Sequence, residues 1–240
     1  MAIHTEDLEY HRPAGSAPLL ARYYRPEGRG PFPGVLEVHG GAWTSGDRLN
    51  NVAIGEYLAA HGIVVLSIDF RMPPAARYPD TVADVNFGIR FLKANAQRFA
   101  TRRGLVGGLG TSSGGHLLLL NALRPHDARY AAAPLPGSDA SLAFAVACWP
   151  VADPLARYRA VIERGNDRLA EAHHQFWPSE EAMAEGSPQL ICPACLTLSS
   201  VAPACAAAPK PSTKPAAASA PNQRLIVIPY SLPADREPDY

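Results

Sequence analysis

Leu105-Val106-Gly107-Gly108-Leu109-Gly110-Thr111-Ser112-Ser113-Gly114-Gly115-His116-Leu117 is the stretch that decides the fold of this chain. Its first five residues read as a buried strand, Ser113 to Leu123 reads as a helix, and G-x-S-x-G occupies the turn between them. A serine at such a turn takes a strained backbone conformation and lifts its hydroxyl above the sheet, so the residues two before and two after it must lack side chains. Gly110 and Gly114 meet that demand for Ser112. For Ser113 the residue two before is Thr111, whose branched side chain would crowd the turn, so Ser112 is the candidate nucleophile. A glycine-rich strand-to-helix turn also serves tight packing, or a phosphate at a helix N-terminus. No Walker lysine follows these glycines and G-x-G-x-x-G is not matched cleanly, which disfavours a nucleotide.

A second turn, His39-Gly40-Gly41-Ala42-Trp43, follows the apolar run Gly34 to Val38. Acyl transfer builds negative charge on the former carbonyl oxygen, and backbone N–H donors aimed in advance stabilise that charge better than water does. Gly40, Gly41 and Ala42 can supply such donors. The N–H of Ser113 adds another, at a helix N-terminus where the macrodipole is positive. His-Gly-Gly alone is equally an ordinary strand-to-loop turn, but two turns at the carboxyl ends of neighbouring strands point to one site.

Working outward, Asp7 to Tyr10 and Leu19 to Tyr24 read as an antiparallel pair of short strands, split by Pro13, Gly15 and Pro18. Ile63 to Ile68 and Leu142 to Cys148 read as further strands, and Asn51 to His61 as a helix. A longer helix is expected over Asp80 to Phe99, with Val82, Val85, Ile89, Leu92 and Ala96 along one face. Alternating strand and helix predicts an α/β fold, a mostly parallel sheet with helices on both faces. Residues 153–186, with Tyr158, Phe176 and Trp177 and breaks at Gly165 and Pro178, read as a helical cap over the sheet. The chain has 240 residues, 47% of them hydrophobic, enough for one sizeable core. The 22 basic and 22 acidic side chains balance, so no nucleic acid or anionic membrane partner is expected. Met1 to Arg12 has no apolar core and no eighteen apolar residues run together, which predicts a cytoplasmic protein without a membrane span. Four cysteines, three of them in the tail, are too few and too local for a disulfide framework.

With these residues in hand, the chain resembles the α/β-hydrolase esterase families, in particular the hormone-sensitive-lipase-like and the acetylesterase or formamidase-like branches, over roughly residues 5–190. Val38 to Trp43 looks like their oxyanion motif and Gly110 to Gly115 like their elbow. Ile68-Asp69-Phe70-Arg71, Tyr78-Pro79 and Asp84 are similar to a segment such enzymes carry before their second major helix, with Arg71 and Asp84 expected to brace a loop as a charge pair. His116 also occurs in this family without being the base. The resemblance implies hydrolysis of small-molecule carboxylic esters, or amides, through an acyl-enzyme on Ser112, with no cofactor and no metal. It leaves acyl chain length and oligomeric state open, and Trp43, Tyr158, Phe176 and Trp177 are expected to line an apolar pocket.

The family orders its triad serine, acid, histidine, and this chain has no histidine after His174. All 19 glycines precede residue 187, and beyond Ile191 the composition turns to Ala and Pro, as in Ala206-Ala207-Ala208-Pro209-Lys210-Pro211. That tail, 191–240, reads as atypical or disordered, with one strand-like run from Leu225 to Ile228. The expectation is a hydrolase domain over 1–190, truncated and carrying a frameshifted tail, its sheet edge unpaired and its catalysis impaired. In an intact alternative, Asp153 is the candidate acid and His173 or His174, from the cap, the candidate base, although adjacent histidines on a charged helix are usually solvated. The other alternative is a non-catalytic binding protein. Cys192-Pro193-Ala194-Cys195 lacks the second pair a zinc site needs.

Overall fold

The computed structural model describes residues 2–192, apart from 132 and 136, together with the segment 224–228. Strands β1 (Ile3–His11) and β2 (Leu19–Pro26) form the antiparallel pair, with an irregularity between Glu9 and His11. Then follow β3 (Phe32–Val38), α1 (Val52–Ala60), β4 (Val64–Ile68), α2 (Asp80–Ala94), β5 (Thr101–Thr111), α3 (Ser112–Leu123) and β6 (Phe144–Cys148). Four short helices, α4 (Pro154–Glu163), α5 (Asp167–Phe176), α6 (Glu180–Glu185) and α7 (Pro188–Ile191), precede β7 (Arg224–Ile228). The sheet order is β1-β2-β4-β3-β5-β6-β7, parallel from β4 onward. Among the described residues no helix is long and apolar enough to cross a membrane.

The strands β3 and β4 are buried on both faces. Every residue of β4 is buried, and Leu36 and Val38 of β3 pack with Ile68, Val85, Ile89, Leu117 and Leu118 in one apolar cluster. Burying each of these side chains contributes roughly 1.5–3 kcal/mol before conformational entropy is charged. The helix α2 buries the predicted stripe of Val82, Val85, Ile89 and Leu92 but stops at Ala94 rather than Phe99. Its C-cap is Asn95, whose side-chain amide donates to the Phe91 carbonyl, a local bond that competes with helix continuation, and Ala100 then turns through a φ of 50°. The strand β5 begins four residues earlier than its apolar run, because Thr101 pairs with Phe32 and donates its hydroxyl to the Phe32 carbonyl.

The expected unpaired sheet edge is corrected by the structure. The strand-like run beyond residue 190 is β7, and it pairs in parallel with β6 from Phe144 opposite Arg224 to Cys148 opposite Ile228. The edge of β6 is therefore paired, and the sheet takes a strand from the stretch expected to lie outside it. Cys192, at the end of α7, is disulfide-bonded, a crosslink that composition did not announce; its partner lies outside the described residues. The Ala/Pro-rich runs expected to be disordered also lie outside the described residues.

The cap is built from four side-chain-capped turns: Asp153 accepts from the N–H of Ala156, Asn166 from Leu169, Ser179 from Ala182 and Ser187 from Leu190. It is pinned to the body at two places. Arg77 donates to the carbonyls of His174, Gln175 and Trp177 at the end of α5, and Glu185 accepts from Tyr78, Arg124 and Arg129. Asp84, on α2, takes the Arg71 guanidinium and the Arg71 backbone N–H at 2.8–3.2 Å, as the charge-pair reading expects.

Asp84 is 1% exposed and Arg71 20%. Asp84→Ala leaves a half-buried cation and a backbone donor without their acceptor, and is expected to cost roughly 3–5 kcal/mol in urea unfolding with an unchanged m-value. A loss below about 1 kcal/mol would show the pair to be ornamental.

Candidate active site

Ser112 stands where β5 meets α3, with a φ of 52°. No hydrogen bond engages its hydroxyl among the described residues, and it is partly exposed, whereas Ser113 is fully buried. Side chains have no room two residues before or after Ser112. A Cβ at Gly110 would lie 2.7 Å from the Gly114 carbonyl oxygen, and one at Gly114 would lie 2.1 Å and 2.3 Å from the carbonyls of His39 and Val38. The elbow and the end of β3 therefore touch through backbone alone. Gly40 is drawn against the serine, since its own missing Cβ would sit 3.2 Å from Ser112 Cβ.

The loop after β3 runs through three consecutive left-handed residues, Gly41, Ala42 and Trp43, with φ of 117°, 51° and 64°. Two of them are not glycine, so strain is stored here. It is held by the N–H groups of Thr44 and Ser45, both of which donate to the Gly41 carbonyl, at 3.0 and 3.1 Å. The N–H groups of Gly41 and Ala42 donate to no other backbone group among the described residues. Donors held by strained backbone beside a serine hydroxyl suit a developing oxyanion.

The histidines near the loop each make a hydrogen bond through a ring nitrogen, while His39 Nε2 and His173 Nδ1 are buried without a partner. His39 bonds through Nδ1 to the Gly40 carbonyl at 2.7 Å and stacks on Phe70. His116 accepts from Trp43 Nε1 at 3.1 Å through Nδ1 and donates from Nε2 to the Gly186 carbonyl at 2.9 Å, which makes it neutral; burial pushes its pKa down to about 4. Both of its ring nitrogens are bonded. His173 corrects the solvated expectation. It is fully buried against Trp43 and Tyr158, accepts from Arg157 through Nε2 at 3.2 Å, and is driven to about 4 by burial and then by the Arg157 charge. Neighbours on a helix point about 100° apart, so His173 joins the buried face with Ala170 and Phe176 while His174 stays outside, bonded to Tyr158 at 2.8 Å. Asp153 spends a carboxylate oxygen on its helix cap. The structure thus brings Ser112, Gly40, Gly41, Ala42 and Ser113 together and gives Asp153, His173 and His174 other partners.

The expected apolar pocket is filled. Trp43 stacks on Phe176 at 5.0 Å and meets Trp177 edge-on at 5.8 Å, and all three rings are buried. A separate cavity of about 530 Å³ lies between the two prolines after β4 and the end of α5, lined by Pro73, Pro74, Arg77 and Gln175. No group of three or more His, Cys, Asp or Glu fit to hold a metal occurs among the described residues. One polar group was missed by the motif reading: Glu37, in β3, is fully buried and accepts from Asn51 at 2.6 Å. A carboxylate inside an otherwise apolar strand was the available signal.

Residues 20–154 match the family model described as BD-FAE. Esterase LipC of Mycobacterium tuberculosis is 33% identical over 174 residues, covering 67% of this chain and 43% of LipC. Carboxylic ester hydrolase LipN of the same organism is 36% identical over 139 residues, 56% of this chain and 36% of LipN. The chain spans less than half the length of either relative. Among solved structures, an inhibited esterase B from Lactobacillus rhamnosis superposes with a TM-score of 0.66 at 22% identity, over 80% of this chain and 63% of that one. A hyperthermophilic esterase from Pyrobaculum calidifontis gives 0.63 at 24% identity, over 77% and 61%. These likenesses establish the α/β-hydrolase fold.

Burial pushes the Glu37 carboxyl up to about 7 from its ordinary 4.5, against the opposing Asn51 hydrogen bond. Between those values the folded chain keeps a proton that the unfolded chain has released, so stability falls as pH rises through this window. Glu37→Gln needs no proton. Its unfolding free energy relative to wild type is therefore expected to improve from pH 5 to pH 8, by an amount on the order of 2–3 kcal/mol. A difference that stays flat across this range would show that Glu37 is ionised at little cost.

Proposed function

The chain belongs to the BD-FAE family, within the α/β-hydrolase esterases, and from that membership we propose that it acts on small-molecule carboxylic esters through an acyl-enzyme on Ser112. The observation that carries this reading is the left-handed Ser112 set against Gly40, with the N–H groups of Gly41 and Ala42 left without backbone acceptors. Ser112 Oγ attacks the ester carbonyl and gives its proton to solvent water, and the carbonyl oxygen gathers negative charge facing those N–H groups and that of Ser113. Collapse of the intermediate expels the alcohol, which leaves with a proton, and water then releases the acid by the same route in reverse.

We further propose that turnover in this chain is slow. An unassisted serine hydroxyl is a weak nucleophile. His39, His116 and His173 are neutral, buried and bonded to other groups, and no hydrogen bond joins any of them to Ser112 among the described residues. What remains is binding and oxyanion stabilisation, which together retain about 10³–10⁴-fold over water when a triad member is lost. The same observation favours a second reading, a protein that binds esters without turning them over.

Hydrolysis of short p-nitrophenyl esters is expected to be measurable, about a thousandfold or more below an enzyme with a full triad, and to disappear in Ser112→Ala. Binding of an ester analogue by folded wild type with no Ser112-dependent release of nitrophenol would favour the second reading. A rate that Ser112→Ala leaves unchanged would remove Ser112 from the chemistry.

A further inference from the structure

On the α1 side of the sheet lies a polar chain that ester hydrolysis, as described above, does not use. Asn51 Nδ2 donates to Glu37 Oε1 at 2.6 Å and to Thr111 Oγ1 at 3.2 Å. The two hydrogens of one amide thereby join β3, which leads into the loop of Gly40, Gly41 and Ala42, to the residue immediately before Ser112. Asn51 is the N-cap of α1 and Thr111 the N-cap of α3, and neither makes a side-chain cap bond. Asn and Thr at such positions ordinarily accept from the first turn of their own helix. Both forgo that stabilisation for a bridge between strands. Glu37 is itself a costly choice near the end of β3, since an apolar residue there would avoid desolvating a carboxyl and leaving Glu37 Oε2 buried without a hydrogen-bond partner.

We propose that Glu37, acting through Asn51 and Thr111, is a positioning residue that holds Ser112 in register with the N–H groups of Gly41 and Ala42. The proposal rests on Ser112 being the nucleophile and adds the device that aims it. A left-handed serine has no side chain in its own turn to lock it, so the side chain of Thr111 is the nearest handle on its backbone. An ionised carboxylate is the stronger acceptor for the Asn51 amide, so the hold tightens as Glu37 releases its proton near neutral pH. The titratable and charged groups around it are His39 just after β3, Asp69 just after β4, Tyr24 and Arg22 on β2, Glu56 on α1 and Arg48 before it. Burial lowers the pKa of His39 and raises that of Tyr24, which keeps both neutral around pH 7, while Arg22 and Arg48 are paired with Asp7, and Arg48 also with Asp69.

The test is the rate at which a fluorophosphonate labels Ser112 in the full chain, located by mass spectrometry, in variants whose folding is checked by cooperative thermal unfolding. Thr111→Val keeps the shape of the side chain and loses only the hydroxyl, so it is expected to remain folded. It, Asn51→Ala and Glu37→Leu are expected to slow labelling by roughly tenfold or more, the cost of a slightly misplaced reacting atom. Glu37→Gln still offers Asn51 an oxygen, and is expected to restore most of the rate at neutral pH while losing the rise through pH 7 that wild type shows. Folded Thr111→Val and Asn51→Ala labelled at the wild-type rate would overturn the positioning role and leave Ser112 as nucleophile. A wild type that takes no label at Ser112 would overturn the nucleophile and this role with it.

Discussion

The site depends on one steric constraint: the first turn of α3 meets the end of β3 backbone against backbone. A single methyl at Gly114 would collide with the carbonyl oxygens of both Val38 and His39. Because that space is empty, α3 lies close enough for Gly40 to abut Ser112, and the loop that follows must turn back at once. It does so through Gly41, Ala42 and Trp43 in left-handed conformations, which two of those residues adopt only under strain. The strained loop is then kept in place from above. Trp43 inserts between His116 and the rings of α5, bonding the former and stacking on Phe176 of the latter, so the position of the N–H donors is tied to the docking of the cap.

This arrangement explains why His116 and His173 are buried and each bonded to a neighbour of the oxyanion loop. His116 links Trp43 to the Gly186 carbonyl at the end of α6, a bridge between oxyanion loop and cap that works only for a neutral imidazole with its proton on Nε2. Burial keeps it neutral. His173 repeats the pattern one layer up, accepting from Arg157, whose guanidinium also lies over the Trp43 ring. These rings act as struts. Freeing either one to serve as a base would leave Trp43 Nε1, the Gly186 carbonyl or Arg157 without a partner in a dry interior, which is expensive.

Local patterns made the fold legible. The elbow, the glycine turn after β3 and the apolar strands announce themselves within a dozen residues each, because strand burial, helix periodicity and left-handed turns are properties of short segments. What the sequence concealed depends on which strands become neighbours. Glu37, Asn51 and Thr111 are 14 and 60 residues apart along the chain and meet only because β3 lies between β4 and β5 with α1 packed above. The aromatic residues expected to line a pocket were identified correctly as apolar. They fill the space themselves, since three rings at 5–6 Å satisfy one another as well as a ligand would. Asn95 shortened α2 by a side-chain bond that hydrophobic periodicity does not register.

The least legible element was β7, where composition argued for a linker on both sides of a five-residue strand. Composition measures what a segment can bury by itself, whereas a strand at the edge of a sheet needs only a partner with an open ladder. The strand β6 supplies one: its inner edge is taken by β5 and its outer edge pairs with β7 in register over five residues. Pairing is parallel, so the C-terminal end of β7 reaches the same edge of the sheet as Thr111 and Ser112 at the end of β5. The chain therefore returns to the side of the sheet where the serine stands, and an Ala/Pro-rich approach of more than thirty residues does not prevent it. Backbone hydrogen bonding, which asks little of side chains, carries this last parallel pairing where side-chain pattern fails.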